Sequence, residues 1–400
     1  MASYTFETIT AAQAAAISAA DVLVFSSGTA VQSAVTYGLN GTATISLGVR
    51  SVEFGPAISG LSASGLGFLD GSRLYVGNAA SNSVGFPTDI QAALFGGDGN
   101  DTLLLGYKGG LAQGNQGNDT LQSNGVCTLY GGQGDDSLHA LATDHSFLQG
   151  NKGNDDLFGF DSCTLLGGQG NDTLQGSGYL DGNLGDDNIR GSGRLLGEDG
   201  ADTISASTSV RSQSDTIDGG AGDDSITSAH NFDALISGGD GNDTIIVTDA
   251  GFDTIDGGAG NDFMKAAAYT VFSGGDGADT ITASFNSTVS GGSGGDLFDF
   301  SHVAESNRMT ILDWSSEDHL TFGNRLSPDG VITRTAPTYE DAFAIARGLI
   351  TSQGIIAVIQ VDTDVYVFSR SQPDNLGIFQ FGAIELVGRS LADISVGNVM

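Results

Sequence analysis

Basic residues are scarce in this chain of 400 residues: 14 Lys and Arg stand against 48 Asp and Glu, a formal charge of −34, and Lys108, Lys152 and Lys265 are the only lysines. A nucleic-acid backbone is held by a Lys/Arg surface, so this balance argues against nucleic acid as a partner and for divalent cations. Long apolar runs are missing too, and with them any segment able to span a bilayer. The opening stretch, MASYTFETITAAQAAAISAADVLVF, lacks the basic start and the uninterrupted apolar segment of a cleavable signal peptide. Export would therefore use another signal. The two cysteines, Cys127 and Cys163, allow at most one disulfide, which excludes a disulfide scaffold and leaves the redox compartment open.

Recognisable catalytic sites are also lacking. No HExxH occurs, and His139, His145, His230, His302 and His319 never fall at zinc-ligand spacing around a Glu. One GxSxG match, Gly291–Gly295, has neither a long strand before it nor a helix after it, as a nucleophile elbow requires. Pairs such as Asp135–Asp136 recur in a repeat frame and read as loop residues. The chain is expected not to be an enzyme.

Glycine, in contrast, is abundant at 62 residues, and 39% of the chain is hydrophobic. Both are organised by a repeat. GGDGNDTL at Gly96 is followed by related octapeptides starting at Gly114, Gly131, Gly150, Gly167, Gly182, Gly197, Gly219, Gly238, Gly257, Gly274 and Gly291. Successive starts lie 15 to 22 residues apart and cluster at 17 to 19, about twice nine, so one motif marks one coil. An apolar residue stands two positions before each start, from Leu94 to Val289, and another seven positions after it, from Leu103 to Phe298. These columns predict two inward-facing strands per coil. One coil cannot bury a core by itself, but coils stacked about 4.8 Å apart form continuous apolar ladders.

An Asp closes every Gly-rich hexamer: Asp101, Asp119, Asp136, Asp155, Asp172, Asp187, Asp202, Asp224, Asp243, Asp262, Asp279 and Asp296. Stacking aligns these twelve carboxylates along one edge, where they repel unless a hard cation lies between them. Ca²⁺ accepts six to eight oxygens, backbone carbonyls included, whereas Mg²⁺ demands a tighter octahedron. Between Gly96 and Phe298 there are 30 acidic and 6 basic residues. About eight to eleven Ca²⁺ at the interfaces between coils would offset most of that charge.

The motif resembles GGxGxDxUx, the nonapeptide of the RTX (repeats-in-toxin) family, a haemolysin-type calcium-binding repeat. That resemblance implies an all-β, right-handed parallel β-roll that folds on Ca²⁺ binding. The family usually carries a nonapeptide on both edges of each coil. In this chain the sixth position of the second half-coil is occupied by Ala92, Gly110, Cys127, Ser146, Cys163, Gly178, Gly193, Asp215, Ala234, Asp253, Thr270 and Ser287. Only Asp215 and Asp253 keep a carboxylate, so calcium is expected along one edge alone. Cys127 and Cys163 fall in one column two coils apart, about 10 Å, too far for a disulfide.

Three regions are expected. Residues 1–92 form a β-rich cap or binding module, with a hairpin turning at Asn40-Gly41 and a strand at RLYVG. Residues 93–298 form the roll. Residues 299–400 form a small α+β capping domain with a helix over YEDAFAIARGLI, capped by Thr338 and followed by Gly354, then strands IIAVIQV and DVYVFSR. FDFSHVAESNRMTILDWSSEDHLTF resembles the segment closing RTX arrays in type I secretion substrates, and FGAIELVGRSLADISVGNVM resembles their uncleaved C-terminal signal.

The resemblance implies an extracellular or cell-surface structural repeat protein with calcium and the type I secretion machinery as partners. Self-association, a surface glycan or another surface protein is a further candidate partner. Two alternatives stay open: a secreted hydrolase or toxin with its active domain in residues 1–92, and a glycan or protein interaction module.

Overall fold

The computed structural model describes residues 2–62, 66–86, 89–142, 145–207, 214–229, 233–248, 251–284, 286–300, 308–321, 331–350, 356–370 and 381–399. His230, His302 and Gly354 lie outside them. The chain divides into two compact units, Met1–Gly191 and Ser192–Met400. It is mostly β, a parallel β-solenoid with few helices.

In the first unit the N-terminal residues form a three-stranded antiparallel sheet, Ser33–Tyr37, Ala43–Leu47 and Arg50–Phe54. The expected hairpin is present, and Asn40 at its turn takes the left-handed φ of 71° that Asn tolerates. Beside it run parallel strands Ser3–Thr5, Val22–Phe25 and Leu66–Phe68. Phe6, Phe25 and Phe68 stack at ring-centroid distances of 4.7 and 4.2 Å in a core that also contains Leu74, Val76, Ala93 and Phe95.

The module therefore shares its core with the first coils, and the Tyr37 hydroxyl donates to the Phe95 carbonyl at 2.9 Å. The RLYVG strand, Arg73–Asn78, pairs in parallel with Ala92–Asp98, and Ser83–Gly85 pairs with Thr102–Leu105. A coil thus precedes the first complete motif.

From there the stacking follows the sequence period. Gly110–Gln116, Cys127–Gln133, Phe147–Lys152 and Cys163–Gln169 continue one parallel face. Thr120–Ser123, Ser137–Ala140 and Asp156–Gly159 continue the other. Leu94, Ala112, Leu129, Leu148 and Leu165 form one fully buried column, and Leu103, Leu121, Leu138, Leu157 and Leu174 form the second. Burying each Leu contributes roughly 1.5–3 kcal/mol. The same register places Cys127, Ser146 and Cys163 in one column with Ser146 between the thiols, and both cysteines are buried and not joined in a disulfide.

The second unit repeats the pattern. Thr216–Ala221, Leu235–Asp240, Thr254–Ala259, Val271–Asp276 and Thr288–Ser293 form one face, with Ile217, Ile236, Ile255, Phe272 and Val289 inside. Its C-terminal part contains the predicted helix, Tyr339–Leu349, with Thr338 as its N-cap accepting from the Asp341 amide at 3.2 Å. The helix packs Ala342 and Ala346 onto Ala357, Ile359 and Phe368.

Strand Phe381–Leu386 pairs with both Asp364–Arg370 and the solenoid strand Arg308–Ile311. That junction is fastened by buried Glu385, which accepts from the Tyr366 hydroxyl at 2.5 Å and meets Arg308 at 3.1 Å. Among the described residues no helix is long and apolar enough to cross a membrane.

Candidate metal centre

Each motif turns the chain through a loop whose second and fourth residues have positive φ. Gly132 and Gly134 sit at 130° and 119°, and Gly168 and Gly170 at 128° and 121°. Where the second residue is not Gly it is Asn115, Asn151, Asn183 or Glu198, at 88°, 83°, 76° and 75°. The alternation of GG with GN is thus a choice between the residues that best enter this region.

The first glycine is constrained differently: a Cβ on Gly131 would overlap Asp136 Oδ2 and press on the Gly150 carbonyl. The carboxylate lies directly over that glycine.

The twelve predicted aspartates are buried, and within each unit they stand in column. In the first unit the amides of Asp101, Asp119, Asp136, Asp155 and Asp172 donate to Oδ1 of Asp119, Asp136, Asp155, Asp172 and Asp187, at 2.7–2.8 Å. In the second unit Asp202, Asp224, Asp243, Asp262 and Asp279 donate to Asp224, Asp243, Asp262, Asp279 and Asp296, at 2.7–3.0 Å. One oxygen of each carboxylate therefore ties its coil to the coil before it.

The other oxygen has no such role. Oδ2 of Asp101, Asp119, Asp136, Asp155, Asp172, Asp224, Asp243, Asp262, Asp279 and Asp296 is buried without a hydrogen-bond partner. An unpartnered buried carboxylate oxygen costs several kcal/mol unless a proton or cation meets it.

The titration behaviour carries the same message. Burial is the main cause, opposed by the amide bond to Oδ1 and supported mostly by neighbouring carboxylates. It pushes Asp136 and Asp172 up to about 8, Asp119, Asp224 and Asp279 to about 7, and Asp101, Asp155 and Asp243 to about 6. Asp262 and Asp296 are raised as well.

Among the described residues no three His, Cys, Asp or Glu side chains converge on one point. A cation in this column would need carbonyl oxygens for most of its shell. The glycine carbonyl of the following coil, set against the orphaned oxygen as at Gly114, Gly131 and Gly150, fits a hard ion of high coordination number.

Two members of the column lack the full motif and were not identified from the sequence. Asn82 precedes Asp101, and its amide donates to Asp101 Oδ1 at 2.6 Å. Asp318 follows Asp296, taking the Asp296 amide on Oδ1 at 3.1 Å and the Ser315 amide on Oδ2 at 2.6 Å. The available signal was the D-x-apolar frame of Asp318-His319-Leu320, in which Leu320 pairs with Phe298. Asp313 stands where a further loop would begin, accepting from the amides of Gly291 and Gly292 at 2.9 and 2.8 Å.

On the opposite edge the predicted positions also form a column. Cys127 donates its amide to Ser146 Oγ at 3.2 Å, Gly193 to Asp215 Oδ1 at 2.6 Å, and Ala234 to Asp253 Oδ1 at 2.9 Å. Ala234 separates the two carboxylates. The GxSxG serine, Ser293, donates to Asp276 at 2.8 Å from within a repeat loop. His139 lies on the outer face near Asp156, at 3.6 Å.

The family model for the RTX calcium-binding nonapeptide repeat matches in four copies, at residues 93–106, 130–161, 211–229 and 237–268. The chain carries RTX repeats. Its matched segments contain Asp101, Asp136, Asp155, Asp224, Asp243 and Asp262, and within each unit the same amide-to-carboxylate ladder continues through coils outside the matched segments. RTX nonapeptide repeats bind calcium, so this is a calcium-binding repeat protein. No curated protein matches the chain.

Proposed function

We propose that the protein is an exported structural or cell-surface component whose RTX array, residues 93–298, closes around Ca²⁺ once outside the cell. The observation that carries this reading is the row of buried Oδ2 atoms without partners. The twelve aspartates from Asp101 to Asp296 would hold about eight to eleven ions between adjacent coils, joined by loop carbonyls. Calcium supplies the positive charge that lets those carboxylates stay ionised while buried. The opposite edge, with only Asp215 and Asp253, stays largely free of metal.

The C-terminal sequence resembles a type I secretion signal, which supports export by that route. Residues 1–92 act as the cap on the first coil.

The test is circular dichroism and calcium titration of thoroughly decalcified protein. Cooperative gain of β-structure with millimolar Ca²⁺, not matched by Mg²⁺, is expected. An unchanged β spectrum in chelator would overturn the proposal. For export, removal of roughly the last 60 residues is expected to abolish secretion, and loss of residues 1–92 is not.

A further inference from the structure

In the first unit a groove of about 460 Å³ lies on the outer face of the coils, beside Val31 of the N-terminal module. Its floor is Leu111, Tyr130 and Phe147, and its polar groups are Gln91, Thr128 and His145. Tyr130 and Phe147, in successive coils, hold their rings 5.8 Å apart and tilted by 58°. Both are partly exposed, so each offers an aromatic face to solvent.

The charge of the lining is as telling as its shape. The chain has 48 acidic residues, yet among the described residues no carboxylate, lysine or arginine lines this groove. An ionic ligand would find no counter-charge there and would meet the field of a strongly negative protein. A hydrophobic protein partner would leave Gln91, Thr128 and His145 to be desolvated without matching groups.

Aromatic faces flanked by neutral amide, hydroxyl and imidazole groups suit a pyranose. Its C–H face lies against the electron-rich ring, and its hydroxyls meet the polar rim.

We propose that this groove binds a neutral oligosaccharide, with Tyr130 and Phe147 as stacking platforms. The proposal goes beyond the metal-binding reading. It borrows from it only that the coils are assembled when the ligand binds.

The test is isothermal titration of the full chain in Ca²⁺ with malto-, cello-, manno- and chito-trioses, and with an oligogalacturonate as the anionic counterpart. Circular dichroism is run on each sample. At least one neutral trisaccharide is expected to bind saturably. Tyr130→Ala is expected to weaken that binding about tenfold, and Phe158→Ala, an aromatic residue of the same unit packed on His139 and Phe160, to leave it unchanged.

Absence of saturable binding by folded protein would overturn the proposal. So would equal or tighter binding of the oligogalacturonate, equal losses in the two variants, or self-association that Tyr130→Ala abolishes without any saccharide binding. A β spectrum insensitive to chelator would sink the calcium-folding reading alone, and the titration would still decide the groove.

Discussion

Replacing Asp172 by Asn separates the two jobs of its carboxylate. Oδ1 accepts the Asp155 amide at 2.7 Å, and an Asn oxygen can keep that bond. Oδ2 is buried without a hydrogen-bond partner, above Gly167 and near the Gly182 carbonyl. An Asn NH₂ in its place carries no charge and can donate to that carbonyl. The substitution should therefore change sign with conditions.

In saturating calcium the variant loses a ligand, and a site lost at a concentration 100 times its Kd removes about 2.7 kcal/mol of metal-derived stability. In chelator near pH 8 it should be more stable than the parent, because it no longer buries an anion. The Asp172 carboxyl rises from an ordinary 3.8 to about 8 in the folded, metal-free chain, mainly through burial. The folded state thus holds this proton more tightly than the unfolded state. Its contribution is fully present below about pH 4 and is lost as pH rises through about 8.

Urea unfolding with and without calcium, at pH 5 and pH 8, reads all four conditions. Equal destabilisation in calcium and in chelator would refute the two-job account, as would no effect in calcium.

Across the array, metal-free protein should hold more β-structure at pH 5 than at pH 8, since Asp101, Asp119, Asp136, Asp155, Asp172, Asp224, Asp243 and Asp279 all shift upward; circular dichroism in chelator checks the direction. Ser146→Ala on the opposite edge removes the acceptor of the Cys127 amide and should cost about 1 kcal/mol with no change in the number of calcium ions counted by titration. Leu148→Ala, at a fully buried position of the inner column, should cost about 2–5 kcal/mol in calcium-loaded protein, measured by chemical denaturation. A non-reducing mass spectrum should contain no Cys127–Cys163 linkage, because Ser146 lies between them in the column.

The solenoid was legible because its backbone leaves few choices. The first glycine must clear a carboxylate, the second and fourth positions must enter positive φ, and the sixth must supply the acceptor for a neighbouring amide. Each demand falls on a few residue types at a fixed place, so the period, both inner columns and the Asp column could be read directly.

The ends were harder to read. In the coil before Asp101, Ala80 takes the place of Gly99 and Asn82 that of the Asp, so no motif remains to be seen. At Asp318 the glycine loop is replaced altogether, and Asp313 supplies through its side chain the acceptors that another loop would have offered through its backbone. The parallel strands Ser3–Thr5, Val22–Phe25 and Leu66–Phe68 escaped because the three-stranded antiparallel sheet intervenes in sequence between the last two.

The amide-to-carboxylate ladder also has a direction. Every link runs from the amide of an earlier coil to the side chain of a later one, so whichever coil is last always points a bare N–H outward. Among the described residues the row reaches Asp318, whose carboxylate accepts from Asp296 and Ser315 and whose carbonyl accepts from Asn398 Nδ2 at 2.9 Å. Asp318 is thus met by groups from outside the repeat, a serine amide on its carboxylate and an asparagine side chain on its carbonyl, so the array runs out into the C-terminal segment through one residue.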